Sequence, residues 1–206
     1  MSLPEIPDLQ KPFVQLPLSR RSVLGTLGLA GLGLLAGAGA ADASSAANRI
    51  DLSGLSADWV RLQDPRTVVE YARFIHALRL RYITTEQVIA SHAKSISSVW
   101  NTLPPKAWWN RMGYTLRVVD RVAQELRQPV TEVLSAYRSP SYNIKCRGAR
   151  CSWHQANMAV DVRFGAKASA VTATARSLRD RGLFKGGVGG YSNFTHIDTR
   201  GQNINW

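Results

Sequence analysis

Two short stretches in the second half of this 206-residue chain combine residue types that can hold a metal ion. The first is Ser152-Trp-His154-Gln-Ala-Asn-Met-Ala159-Val160-Asp161-Val162, with an imidazole and a carboxylate seven residues apart. A strand is predicted to open at Ala159. On it Asp161 faces away from Val160 and Val162, lining a cleft while the valines fill the core. The second is Phe194-Thr-His196-Ile197-Asp198, whose alternation puts His196 and Asp198 on one face and Ile197 on the other. Two nitrogens and one carboxylate, from His154, His196 and Asp161, make a three-ligand zinc site with a fourth position open for water. Such an ion polarises a carbonyl and brings the ionisation of water close to neutral pH, the two requirements for hydrolysing an amide. The same residues also suit ordinary polar positions beside a strand, and spacing alone does not choose. His76 and His92 sit among apolar residues of helical stretches and read as packing or surface groups.

The elements that must position these residues follow from pattern. Asp64-Pro65 is a helix start, and Val68, Tyr71, Ala72, Ile75, Leu78 and Tyr82 recur at three- and four-residue spacing behind it. A second helix starts at Thr84 or Thr85, with Val88, Ile89, His92 and Ile96 inward. A third runs from about Lys106 to Arg127, with Trp109, Met112, Leu116, Val119, Val122 and Leu126 inward, and Pro129 closes it. Strand-like runs then occupy Val130–Tyr137 and Ala159–Phe164, separated by a loop. Ala166–Arg181 reads as a helix with Gly182 as its cap, Lys185–Gly190 as a flexible hairpin, and Tyr191–Asp198 as an alternating strand. Helices first and strands afterwards predict an α+β domain, with N-terminal helices packed on a small antiparallel sheet that carries the zinc site. The domain is expected over 58–206, helical to 128 and β-rich from 129.

The chain carries a formal charge of +12, so its expected partners are anionic: nucleic acid, a membrane surface or a wall polymer. Ser19-Arg20-Arg21-Ser22 followed by the glycine-rich apolar run Gly25–Ala41 and Ala41-Asp42-Ala43 has the order of an export leader. The paired arginines resemble a twin-arginine signal. A signal peptide is therefore expected over 1–43 and a linker over 44–57, with an uncleaved membrane anchor as the alternative reading of the same run. Export to a periplasmic or other extracytoplasmic space, together with the lack of a nucleic-acid motif, argues against nucleic acid as partner. In an oxidising compartment Cys146 and Cys151 are expected to form a small disulfide loop at the rim of the cleft. Trp153, next to the candidate zinc histidine, is expected to contact substrate.

Three stretches together resemble the D-alanyl-D-alanine metallopeptidase (M15-like) family, zinc peptidases that include murein carboxypeptidases and endopeptidases. Ser135-Ala-Tyr-Arg138-Ser-Pro-Ser-Tyr-Asn143 is similar to its Ser-x-Tyr-Arg-Ser segment. Ser152-x-His154 through Ala159-x-Asp161 is similar to its first metal motif. Gly189-Gly-Tyr191 through Phe194-x-His196-x-Asp198, ending in Trp206, resembles the closing motif of an exported endopeptidase subgroup. The resemblance covers roughly residues 103–206. It implies His154, Asp161 and His196 as ligands of one Zn2+ ion, and Arg138 as the anchor for a peptide carboxylate or polarised carbonyl. It also implies substrate contacts from Ser135 and Tyr191. Asp198 is left with two roles, base for the attacking water or orienter of a ligand imidazole.

Two departures stand out. The family's glycines after the first zinc histidine are replaced by Ala156 and Asn157, and Asn tolerates a left-handed turn. Where some branches carry a Glu base three residues before the last histidine, this chain has Asn193. The expected function is hydrolysis of an amide in the peptide stem or crosslink of peptidoglycan, of D,D- or L,D-type, by a monomer that meets the membrane only through its leader. The alternative is a wall-binding module with a vestigial metal site.

Overall fold

Two successive helices begin by the same device, a side-chain oxygen capping a backbone N–H three residues on. Ser56 Oγ accepts from Trp59 N at 3.5 Å to start α1 (Ala57–Gln63), and Asp64 accepts from Thr67 N at 3.2 Å to start α2 (Pro65–Ala77). Thr84 and Gln87 form a reciprocal capping box at the head of α3 (Thr85–His92). The computed structural model describes residues 50–206. The leader expected at 1–43 and residues 44–49 of the expected linker lie outside the described residues.

The apolar stripe of α2 is buried as its spacing predicts, through Val68, Tyr71, Ala72 and Ile75. The second helix is shorter than expected. It stops at His92, and Ile96 belongs instead to a small hairpin of β1 (Ser95–Ile96) and β2 (Val99–Trp100). Ser97 and Ser98 both take left-handed φ, 48° and 63°, which closes a two-residue hairpin turn and rules out continued helix. A 3₁₀ turn at Lys106–Trp108 leads into α4 (Trp109–Leu126), which buries Trp109, Met112, Leu116, Val119 and Val122 and ends at left-handed Arg127.

Beyond Pro129 lie β3 (Val130–Ser135), α5 (Pro140–Lys145), β4 (Ala159–Phe164), α6 (Ala168–Asp180), β5 (Gly187–Gly190), β6 (Thr195–Asp198) and β7 (Ile204–Asn205). Helix α5 falls in the stretch expected to be loop. Ser139-Pro140 supplies its start, with Ser139 Oγ accepting from Tyr142 N. The sheet order is β3-β4-β6-β5-β7. The α+β class holds, but the sheet is mixed rather than antiparallel, because β7 pairs parallel with β5. Lys185–Gly190 is also no flexible hairpin, since Gly187–Gly190 is a paired strand. A Cβ at Gly189 would come within 2.5 Å of the Trp206 indole, and one at Gly187 within 2.5 Å of the Asp198 carboxylate. The glycines are there so that large groups can lie directly on the strand. Tyr191–Phe194, expected as strand, instead closes the turn into β6, with Tyr191 N donating to Phe194 O at 3.1 Å.

Helices α4 and α6 pack on one face of the sheet, over Val160, Val162, Val188 and Ile197, all buried. The other face carries the polar residues. The N-terminal helices brace the loop beside that face: the buried Trp59 donates its Nε1–H to Asn101 O at 2.8 Å. Asn101 Nδ2 donates to Tyr137 O at 2.8 Å, and its Oδ1 accepts from Ser139 N at 2.9 Å. This side chain therefore clamps both neighbours of Arg138. Replacing Asn101 with Ala leaves buried partners unsatisfied and is expected to cost about 1–3 kcal/mol, read as a lower urea midpoint with unchanged slope.

Candidate metal centre

Strand register builds the centre. Asp161 on β4 lies opposite Ser135 on β3 and opposite His196 on β6, and His196 in turn lies opposite Gly189 on β5. One row across four strands therefore reads Ser135, Asp161, His196, Gly189, all on the face away from α4 and α6. His154 reaches the same point from the loop before β4. Its backbone oxygen accepts from Arg138 N and Asn157 N, both at 3.2 Å, and Asn157 sits at φ 60°. The left-handed turn is thus made by an asparagine, and Asn157 Nδ2 secures it on Trp108 O at 2.9 Å.

One ligand atom from each of His154, Asp161 and His196 lies within 4.8 Å of the others, and all three residues are buried. His154 Nε2 is 3.3 Å from Asp161 Oδ2, and His196 Nδ1 is 2.8 Å from Asp161 Oδ1. The remaining nitrogen of each ring is held from behind. His154 Nδ1 bonds Ala136 O at 2.7 Å, and His196 Nε2 bonds Asp198 Oδ2 at 3.0 Å. Histidines oriented in this way, with a carboxylate between them, fit a tetrahedral divalent ion with one position free.

Asp198 is fully buried and does not line the cleft. Its carboxylate accepts from Gly187 N at 2.9 Å and from the Arg200 guanidinium at 2.8 and 2.5 Å. The carboxylate thus stands behind the His196 ring, away from the cleft. Arg138 donates to Ser135 Oγ at 2.7 Å and to Asp161 Oδ2 at 2.6 Å, so Ser135 sits beneath the arginine and is not on the cleft lining.

The charges of the centre are strongly coupled. Burial pushes the Asp161 carboxyl up, but the two histidines outweigh it and hold it far below the usual carboxylate range. Asp198 is likewise raised by burial, then pulled well down by Arg200 and His196. Burial lowers His154. His196 also feels burial, but its bonds to Asp161 and Asp198 win and raise it.

Above the centre opens a cleft of about 470 Å³, lined by Arg138, Arg147, Trp153, Tyr191, Arg200 and Trp206 among others. Tyr191 stacks on Phe194 at 4.2 Å and accepts from Trp206 Nε1 at 3.0 Å. Arg200 lies 5.3 Å from the ring centres of both Trp153 and Trp206. Trp206 and Arg200 form this wall, and pattern reading assigned neither a role. The signal was present, since a strand bare of side chains at Gly187 and Gly189 requires a large group to cover it. The expected disulfide is absent: Cys146 and Cys151 are free thiols. Their loop is closed instead by Asn143, which bonds Gly148 N through its backbone oxygen and Ala149 O through its side chain, both at 3.0 Å.

The Peptidase M15 family model matches residues 81–198, more than half of the chain. The chain belongs to that family. No curated protein and no solved structure matches it. Membership agrees with the motif resemblance, and the matched span holds Arg138, His154, Asp161, His196 and Asp198 but stops short of Arg200 and Trp206. The M15 family implies a metallopeptidase, and the His-Asp-His cluster is where this member would hold its ion.

Binding an ion at this M15 centre requires His196 Nδ1 to give up its proton. Because the His196 pKa is raised above 6.5, metal affinity should climb as pH rises through and above that value. Calorimetric titration in buffers of different ionisation enthalpy should report proton release. For the metal-free protein the sign is opposite: the stability that His196 contributes is full below 6.5 and is lost as pH rises through its raised pKa. The variant Asp198→Asn should weaken zinc binding about 10–100-fold through loss of the carboxylate behind His196, measured by competition with a chromogenic chelator.

Proposed function

We propose that this M15 member is a zinc peptidase that cleaves an amide in the peptide stem or crosslink of peptidoglycan, as a D,D- or L,D-type carboxypeptidase or endopeptidase. The observation that carries the reading is the buried His154–Asp161–His196 cluster, oriented from behind and opening on a cleft. Size supports it too, since a cleft of about 470 Å³ takes a few residues of peptide.

A divalent ion bound here supplies Lewis acidity for polarising an amide carbonyl and ionising the attacking water. The chain's own residues do the rest. Ala136 O and Asp198 fix the two rings, and Arg138, steered by Ser135 Oγ, offers a cation to a substrate carbonyl or carboxylate oxygen. Trp153, Tyr191 and Trp206 offer flat surfaces to the peptide or its attached sugar. The basic composition supports attraction to a polyanionic wall, and the leader motif supports export to the extracytoplasmic side by the twin-arginine route.

One observation favours the second reading, a wall-binding module without turnover. Among the described residues Asp161 is the one carboxylate on the cleft lining, and Asn193 stands where the family resemblance implies a base in some branches. Incubating the zinc-loaded protein with purified wall fragments separates the two. Chelator-sensitive release of peptide or alanine, lost in His154→Ala, is the expected result. Retention on wall material with no released product would establish the module instead.

A further inference from the structure

From Val133 to Val160 the chain contains no acidic residue, yet it carries Arg138, Lys145, Arg147 and Arg150. Three guanidiniums line the cleft: Arg138, Arg147 and Arg200. Two of them are already engaged, Arg138 with Asp161 and Ser135, and Arg200 with Asp198. Among the described residues the Arg147 guanidinium has neither an ion pair nor a hydrogen-bond partner. Asp161, the lone carboxylate on the lining among the described residues, belongs to the candidate metal centre.

The backbone that presents Arg147 is braced. Arg147 N donates to Ile144 O and Gly148 N to Asn143 O, both at 3.0 Å, and the Asn143 carboxamide fills the space a Cβ on Gly148 would need. Arg147 itself takes φ 52°, the left-handed residue of the capping turn that ends α5. An unpaired cation on a fixed turn, facing a cleft already rich in positive charge, is arranged for an anion that arrives with the ligand.

We infer that Arg147 is a specificity-determining residue that receives a carboxylate of the peptide substrate at the α5 rim, separately from the carbonyl addressed at the metal centre. The inference rests on the peptidase reading for its ligand class: a peptide carrying a free carboxylate, terminal or side-chain, beside the scissile amide. Lys145, at the end of α5, and Arg150, on the loop after it, are exposed but do not line the cleft, so they contribute only diffuse attraction.

The test uses the zinc-loaded full chain and a pair of synthetic stem peptides, identical except that one carboxylate is replaced by its amide. Each amidation position is tried in turn, and calorimetric binding is measured alongside turnover. At one position the wild type should prefer the acid about tenfold, the size of a single charge-assisted contact. Arg147→Gln should abolish that ratio, with the loss in KM rather than kcat, and Arg147→Lys should restore part of it. Arg150→Gln should keep the ratio. The inference is overturned if the wild type shows no acid preference at any position, if Arg147→Gln keeps the preference, or if Arg150→Gln loses as much. A protein that binds these peptides but never cuts them refutes the hydrolase reading, while the acid-to-amide binding ratio still decides the role of Arg147.

Discussion

The pairing of β4 with β6 is the constraint on which the centre depends. Asp161 meets His196 only because Ala159 pairs with Asp198 and Val160 with Ile197. A slip of one residue would turn Asp161 toward α4 and α6 and bring a valine to the cleft. The register is held by what the other face buries: Val160, Val162, Val188 and Ile197 fit under the helices in one alignment only. Thr115 of α4 adds a polar stitch, its hydroxyl 2.9 Å from Thr199 and 3.3 Å from Met158 O, at the mouths of β6 and β4. The apolar packing therefore decides the geometry of the polar side, and the candidate ligands need no contact among themselves to be brought together.

Burying two carboxylates beside two imidazoles is costly unless each has a counter-charge. The fold answers with one arginine per acid, Arg138 on Asp161 and Arg200 on Asp198. Both arginines also reach the cleft. The guanidiniums that neutralise these two buried acids are thus also part of the cleft lining, so charge balance in the core and the charge of the cleft share the same two side chains. Arg147 stands apart from this arrangement, which is why its free charge is informative.

Much of this was legible in the residues. Caps such as Asp64-Pro65, the stripes of α2 and α4, and the alternation through Asp161 and His196 encode local structure directly, and those elements formed, although α2 ends at Ala77 before Leu78 and Tyr82, and the strand through His196 begins only at Thr195. What escaped reading was decided by contacts distant in the chain. Gly187 and Gly189 suggest flexibility until Trp206 and Asp198 are seen occupying their bare face. The parallel partner of β5 is a two-residue strand too short to carry a pattern. The two cysteines invite a bridge by their spacing, but Asn143 closes their loop, a role no local rule assigns to it. Asp198 could be read either way from alternation alone, and only its bonds to Arg200 and Gly187 N show it turned from the cleft.

The indole of Trp206 has a position unlike that of the ligands it adjoins. It packs 5.1 Å from the His196 ring, yet its anchorage is the short parallel pairing of β7 and bonds from Gly190 N and Arg176 to its backbone oxygen. His154, Asp161 and His196 are instead rooted in the buried middle of the sheet and its neighbouring loop. Two residues of edge strand open more readily than a central ladder. Resistance to local opening is thus graded across a few ångströms, lowest at the Trp206 bank of the cleft and highest at the His154–Asp161–His196 floor.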